Sequence, residues 1–277
     1  VRPTVTSVAQ PGHANEDAVA LGPGVVVLID GAGLPARLRS GCTHTVRWYA
    51  RTLADAYRDA LGRADVDIRT AFARALSLVA ASHGPGCDLD RGSPSGTVAA
   101  WRIGAEQVEY LVLGDASVIL SDPAGGVSEV TDDRLATVTA PIIASHLRDR
   151  AARGLTTTPD DLREARRAAV ELTRNTSGGF WCCHHDPAAA DHAIVGTLCR
   201  TDVASLVAAS DGATRGYQLL GIHTVQDVAR LAANGDGDEV IAEIRAEEER
   251  TDRLTDQGMK KDDDATLVAA VVTALSS

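Results

Sequence analysis

The hydrophobic positions fall into short continuous runs separated by pairs of longer stretches with helical spacing. Val25-Val26-Val27-Leu28-Ile29 is a five-residue apolar run rich in β-branched side chains, and it reads as a buried strand. Residues 4–9 and 18–21 are shorter strand candidates, bounded by Pro11-Gly12 and Pro23-Gly24. From Thr45, the residues Val46, Trp48, Tyr49, Leu53, Ala54, Tyr57 and Leu61 recur at helical intervals, and a second helix is predicted over 67–82, ending before Gly84-Pro85. The pair reads as a hairpin laid over a sheet. Strands are predicted over 97–103, 107–113 and 117–120, and their tight connections suggest one antiparallel meander.

Residues 121–139 read as a strand edge plus loop, and helices are predicted over 142–153 and 159–172. Further strand candidates are 178–183, 190–198 and 203–209, followed by helices over 225–233 and 238–254 and a last strand over 266–273. Strands in consecutive runs with helix pairs between them predict an α+β sandwich, antiparallel sheets inside and helices outside, rather than a doubly wound parallel sheet. No linker or repeat divides residues 1–277, so one domain is expected.

Composition narrows the picture. Aromatic residues are only 3% of the chain while apolar residues are 44%, so the core must be aliphatic and offers no stacking platform for nucleic acid. A net charge of -11 repels phosphate backbones, so no nucleic-acid partner is expected. The five cysteines are too few and too irregular for a disulfide scaffold. No apolar stretch approaches the ~20 residues that span a bilayer and the first residues carry no secretory pattern, so no membrane partner is expected and the cytoplasm is the expected compartment.

The chemistry-bearing pattern is an apolar strand ending in an acid beside glycine. It occurs at Ile29-Asp30-Gly31, at Leu113-Gly114-Asp115 and at Ser210-Asp211-Gly212, and in inverted form at Asp263 and Asp264 before the last strand. Carboxylates gathered at one rim would repel unless cations sat among them, and hard divalent ions with oxygen ligands are the natural solution. Aspartate and glycine also form turns, so each pair alone leaves a structural role open.

Taken with Asn15-Glu16-Asp17, Ser95-Gly96-Thr97 and Lys261-Asp262-Asp263-Asp264, these elements resemble, in order and over nearly the whole chain, the metal-dependent serine/threonine protein phosphatases of the PP2C type. The Gly178-Gly179-Phe180-Trp181 stretch is similar to that of divergent actinobacterial members. The resemblance implies a four-layer α-β-β-α sandwich with two central, mostly antiparallel sheets and a centre of two Mn2+ or Mg2+ ions. It implies that Asp30 bridges both ions, that the Gly31 carbonyl binds one, and that Asp211 and Asp263 bind the other. Glu16 and Asp17 would hold metal-bound water, and Asp115 corresponds to a ligand of a third, labile metal. Asp264 stands where asparagine is usual, which leaves the choice between Asp263 and Asp264 open.

Three departures from the family pattern bear on substrate. Gly12 occupies the position of the phosphate-binding arginine, Leu34 replaces a glycine, and Arg215 replaces the third-metal aspartate. His13, Arg37, Arg39 and Arg215 are the candidate phosphate donors, Arg215 being equally able to pair with an acid, and His13 is also the candidate proton donor to the leaving oxygen. The expected substrate is a phosphoserine or phosphothreonine protein. A small phosphorylated metabolite, or a catalytically silent module that binds a partner, are the alternatives. Cys182-Cys183-His184-His185 is not expected to hold zinc, since neighbours on a strand point to opposite faces. The acidic stretch at Glu247-Glu248-Glu249 is expected to be solvated, and the connector over 85–96 either borders the cleft or faces solvent.

Overall fold

The computed structural model describes residues 2–32 and 40–272. Chain order runs β1 (Thr4–Val8), β2 (Ala18–Gly22), β3 (Val25–Ala32), α1 (Val46–Leu61), α2 (Ile68–Ser82), β4 (Ser95–Ile103), β5 (Gln107–Leu113), β6 (Ser117–Ser121) and β7 (Val127–Thr131). It continues with α3 (Arg134–Ala152), α4 (Pro159–Thr173), β8 (Ile194–Cys199), β9 (Ser205–Ala209), α5 (Asp211–Arg215), α6 (Val225–Asn234), α7 (Gly237–Arg250), α8 (Arg253–Asp256) and β10 (Ala265–Val271). The strands form two five-stranded sheets, ordered β1-β10-β9-β6-β7 and β2-β3-β4-β5-β8, with every pairing antiparallel.

The apolar runs are explained by burial on both faces. Along β3, Val25, Val27 and Ile29 pack toward α1 and α2, whereas Val26 and Leu28 join the layer between the sheets. In β10 the same alternation sends Ala265, Leu267 and Ala269 toward α6 and α7, and Val268 and Ala270 inward. An antiparallel sheet usually keeps one face wet and so alternates in polarity. Helices outside and a second sheet inside remove that constraint, giving the four layers expected. Sequence-local signals set the helix starts: Thr45 Oγ1 accepts from Trp48 N at 3.1 Å and Asp67 Oδ1 from Thr70 N at 2.9 Å.

Several boundaries differ from expectation. β5 and β6 do not form a meander: β5 pairs with β8, while β6 pairs with β7 and β9 in the other sheet. Gly114-Asp115-Ala116 is therefore a step between sheets, a difference that strand periodicity does not encode. Residues 121–139 hold an edge strand, β7, and the start of α3 where a loop was expected. The strand expected over 178–183 is reduced to isolated bridges, Arg174 with Phe180 and Gly96 with Cys183. Glu248 is not solvated but buried on the inner side of α7.

With so few aromatics, Trp101 carries much of the inter-sheet layer, fully buried among small neighbours that include Ala99, Ala116, Ala208 and Ala270. Trp101→Ala is expected to cost about 3–5 kcal/mol of unfolding free energy by chemical denaturation, as for large aromatic truncations in cores.

Candidate active site

Acids from both sheets meet at one end of the sandwich. Asp30 lies near the end of β3, in register with Thr97 of β4, and Asp211 opens α5 just past the end of β9. The Asp211 N–H donates to Asp30 Oδ2 at 3.2 Å, joining the two sheets at their rim. Asp115 enters on the step between the sheets, and Asp263 lies two residues before β10 with its Oδ1 3.0 Å from Lys260 Nζ.

Glycines make these approaches possible. A Cβ on Gly212 would stand 1.9 Å from the Asp264 carbonyl oxygen, and one on Gly31 would stand 2.5 Å from the Glu16 carbonyl oxygen. The glycines following Asp30 and Asp211 are thus required by close backbone passage. The Asp264 carboxylate is spent on that same loop, accepting from Gln10 N at 2.7 Å and Glu16 N at 2.6 Å. Asp264 therefore holds the segment carrying Glu16 and Asp17, while Asp263 is the member of the pair whose charge bears on Asp211 and Asp30.

Burial and like charge act together on this cluster. Burial first, and then the charges of Asp211, Asp17, Asp115 and Asp263, hold Asp30 well above the ordinary carboxylate range. Asp17 is pushed up to about 7, mainly by burial, against the lowering effect of the Thr266 hydroxyl that donates to its Oδ2 at 2.7 Å. Its other oxygen, Oδ1, is buried without a hydrogen-bond partner. Asp115 is also raised to about 7, by burial and then by Asp211. Asp211 is raised by burial and by Asp263, opposed by Arg215 and Lys260.

So dense a set of acids, with a buried orphan oxygen and few cations, fits divalent metal ions. Among the described residues, the set of three or more ligand atoms lying within 4.8 Å of one another is a different one, Cys42, His44, His83 and Cys87. Hard ions held by few carboxylates and several waters do not require so tight a group of protein ligands.

A family-model comparison matches residues 6–244 to "Protein phosphatase 2C". The chain belongs to the protein phosphatase 2C family. It is thus a metal-dependent phosphatase. Similar folds include the serine/threonine phosphatase Stp1 from Staphylococcus aureus, with TM-score 0.60 and 12% identity, covering 98% of this chain and 95% of that one. They also include the Mycobacterium tuberculosis serine/threonine phosphatase PstP/Ppp, with TM-score 0.56, 14% identity and 99% coverage of both chains. A structure of the PstP catalytic domain in complex with 2 manganese ions matches at TM-score 0.54 and 15% identity, covering 98% of each chain. A comparison with curated proteins by sequence finds no significant match.

The expected cations are placed unequally in this phosphatase. His13 is exposed on the turn after β1, its N–H bonded to Gln10 O at 3.1 Å. Arg37 and Arg39, with Leu34, lie outside the described residues. Arg215 is buried, with Nη1 2.7 Å from Glu248 Oε1 and Nη2 3.4 Å from Asp263 Oδ2, so of its two options it takes the pairing with acids. Two cations at the site escaped sequence reading. Lys260 sits beside Asp263, where its own sequence position before the acidic triplet was the available signal. Arg174, at the end of α4, lines a cavity of about 160 Å³ with Asp115, Ser95, Thr97 and Ala32, and donates to Ser95 Oγ at 3.2 Å. No local motif marks it, because α4 reaches the site only through the fold.

Behind the acids, Glu248 accepts from both Arg215 at 2.7 Å and Arg245 at 2.6 Å, and Arg245 also donates to the Asp263 carbonyl. Removing the carboxylate leaves the buried Arg215 guanidinium with the longer contacts to Asp263 Oδ2 at 3.4 Å and the Lys261 carbonyl at 3.3 Å, and Arg245 with the Asp263 carbonyl. Glu248→Ala is expected to cost about 3–5 kcal/mol, measured as a shift in the urea midpoint at constant slope.

Proposed function

We propose that this chain is a phosphomonoester hydrolase acting on phosphoserine or phosphothreonine in proteins, through a two-ion centre held by the rim acids. The observation that carries this reading is the junction of Asp30 and Asp211 across the two sheets, 3.2 Å apart from N–H to carboxylate, within a set of acids whose mutual charge calls for cations. Asp30, the Gly31 carbonyl, Asp211 and Asp263 are the residues that would hold manganese or magnesium. When bound, such ions acidify a water and neutralise phosphoryl oxygens.

The chain's own groups do the rest. Asp17, fixed by Thr266 through Oδ2, has Oδ1 available to accept a hydrogen bond from water and orient it. Glu16 is set beside it by the Asp264 clamp on its N–H. Asp115 faces the cavity and would hold a third ion. His13, on the exposed turn three residues before Glu16, would protonate the leaving oxygen. Gly12 leaves the usual arginine position without a cation, and Arg215 is occupied by Glu248 and Asp263. The phosphoryl group is therefore held by Arg174, which forms no salt bridge among the described residues and faces the cavity beside Asp115. Lys260 adds charge on the Asp263 side.

The absent arginine at Gly12 and the small cavity favour one second reading, a small phosphorylated metabolite as substrate. Rates on p-nitrophenyl phosphate, small phosphorylated metabolites and phosphothreonine peptides, all with manganese, separate the two. Asp30→Ala, Asp211→Ala and Asp263→Ala are each expected to lower kcat/KM by more than about 100-fold, beyond the loss typical of an outer-shell partner. Arg174→Met is expected to raise KM more than it lowers kcat. Full activity in both Asp30→Ala and Asp211→Ala would contradict the site, and an inactive parent with manganese bound would contradict the enzyme reading.

A further inference from the structure

A second cluster, separate from the rim acids, brings two sulfurs and two imidazoles to one point. Cys42 and His44 lie between β3 and α1, and His83 and Cys87 follow α2. Cys42 Sγ is 3.3 Å from His44 Nδ1 and 3.4 Å from His83 Nδ1, and Cys87 Sγ is 3.4 Å from His44 Nδ1 and 3.6 Å from Cys42 Sγ. All four ligand atoms fall within 4.8 Å of one another.

These separations match the edges of a tetrahedron around zinc. Bonds of about 2.3 Å to sulfur and about 2.0–2.1 Å to nitrogen place sulfur and nitrogen about 3.5 Å apart and two sulfurs about 3.8 Å apart. The sulfur pair is far outside the ~2.05 Å of a disulfide. The arrangement is also directed rather than incidental. His83 Nε2 is buried without a hydrogen-bond partner, so the polar side of that ring that has company is the one facing the sulfurs. Trp48 stacks on His44 with centroids 3.8 Å apart and meets His83 edge-on at 4.9 Å, an apolar wall that limits water at the cluster.

We propose that Cys42, His44, His83 and Cys87 form a structural zinc site, with both histidines binding through Nδ1. On binding, Cys42 and Cys87 each release a proton to solvent, so two thiolates balance the charge of Zn2+ and the two neutral imidazoles complete the shell. Four protein ligands leave no open position, which makes the site structural rather than catalytic. Soft sulfur with imidazole selects zinc over the hard ions suited to the carboxylates, so the two centres take different metals from a mixed pool.

The backbone around the cluster explains what the ion would hold. Asp88 N donates to Gly41 O at 2.7 Å and Gly41 N to Arg91 O at 3.2 Å, and a Cβ on Gly41 would lie 1.8 Å from the Asp88 carbonyl oxygen. The connector after α2 is thereby locked onto the segment entering α1. The ion would therefore tie the entry of α1 to the connector after α2. The site is independent of the phosphatase reading and stands or falls without it. Its signal was present in the sequence as Cys42-Thr43-His44 and His83 to Cys87, but the 38 intervening residues, 45–82, hide the pairing until α1 and α2 fold as a hairpin.

The test is metal analysis of the full chain purified under reducing conditions without chelator. About one zinc per chain is expected in the parent, retained in Asp30→Ala and reduced at least tenfold in Cys42→Ser and in Cys87→Ser. Because those serine variants could fail to fold, the parent itself is treated with a mercurial thiol reagent beside a chromogenic zinc chelator. Zinc release in step with thiol modification is expected. Reconstitution with cobalt(II) in place of zinc is expected to give the intense visible bands of a tetrahedral ion and thiolate-to-cobalt charge transfer. A parent that holds less than a tenth of an equivalent and gives no such cobalt spectrum overturns the proposal. So does zinc that is lost in Asp30→Ala but kept in a folded Cys42→Ser chain, or a Cys42–Cys87 disulfide found under the same reducing conditions.

Discussion

The mutual repulsion of carboxylates at the end of the sandwich is the constraint on which the rest of the site depends. Asp17, Asp30, Asp115 and Asp211 are all held above the ordinary carboxylate range, each by burial first and then by its acidic neighbours. Such a cluster is tolerable only where counter-charge is supplied and where the backbone cannot spread to relieve it. Arg215 and Lys260 supply part of the charge, and divalent cations fit the remainder.

The fold prevents the spreading by tying the two sheets together at that point. The Asp211 N–H meets Asp30 across the sheets, Asp264 clamps the loop before β2 through Gln10 and Glu16, and Thr266 ties Asp17 to the start of β10. Thr266 N in turn donates to Ser210 Oγ at 2.9 Å, so the residue before Asp211 is fixed from the same strand. Gly31 and Gly212 allow backbone to pass where any side chain would collide. These ties engage one oxygen of Asp30 and one of Asp17, and the second oxygen of Asp17, Oδ1, has no hydrogen-bond partner and is left for water. Glu248 performs the complementary task behind the rim, holding Arg215 so that its second nitrogen reaches Asp263.

Much of this was legible in the amino-acid order, and the reasons are physical. A run such as Val25 to Ile29 has one stable use in a chain of this size, as a strand covered on both sides, and the acid that ends it must lie at the rim. The order of such motifs pointed to the family, and family membership follows from the match over residues 6–244. Choices among neighbours were illegible. Asp263 and Asp264 are separated only by which one meets the N–H groups of Gln10 and Glu16, a contact across more than 240 residues of chain. The step at Gly114-Asp115-Ala116 resembles a hairpin turn locally, yet it passes the chain to the second sheet. Glu248 looked solvated because its neighbours Glu247 and Glu249 are acidic too, and only the orientation of α7 turns it toward Arg215 and Arg245. Arg174 and the Cys42, His44, His83 and Cys87 cluster depend on elements distant in sequence.

The central claim, that repulsion among the rim acids is relieved by divalent ions, has a direct thermodynamic signature. The measurement is the thermal midpoint of the parent and of Asp30→Asn, each freed of manganese by dialysis and then titrated with it. At a pH high enough to ionise the cluster, replacing one of its acids is expected to raise the manganese-free midpoint of Asp30→Asn above that of the parent. Manganese at about 100 times its dissociation constant is expected to add about 2.7 kcal/mol to the parent and almost nothing to the variant. A variant that is less stable than the parent without manganese, and that gains as much as the parent when manganese is added, would contradict the account.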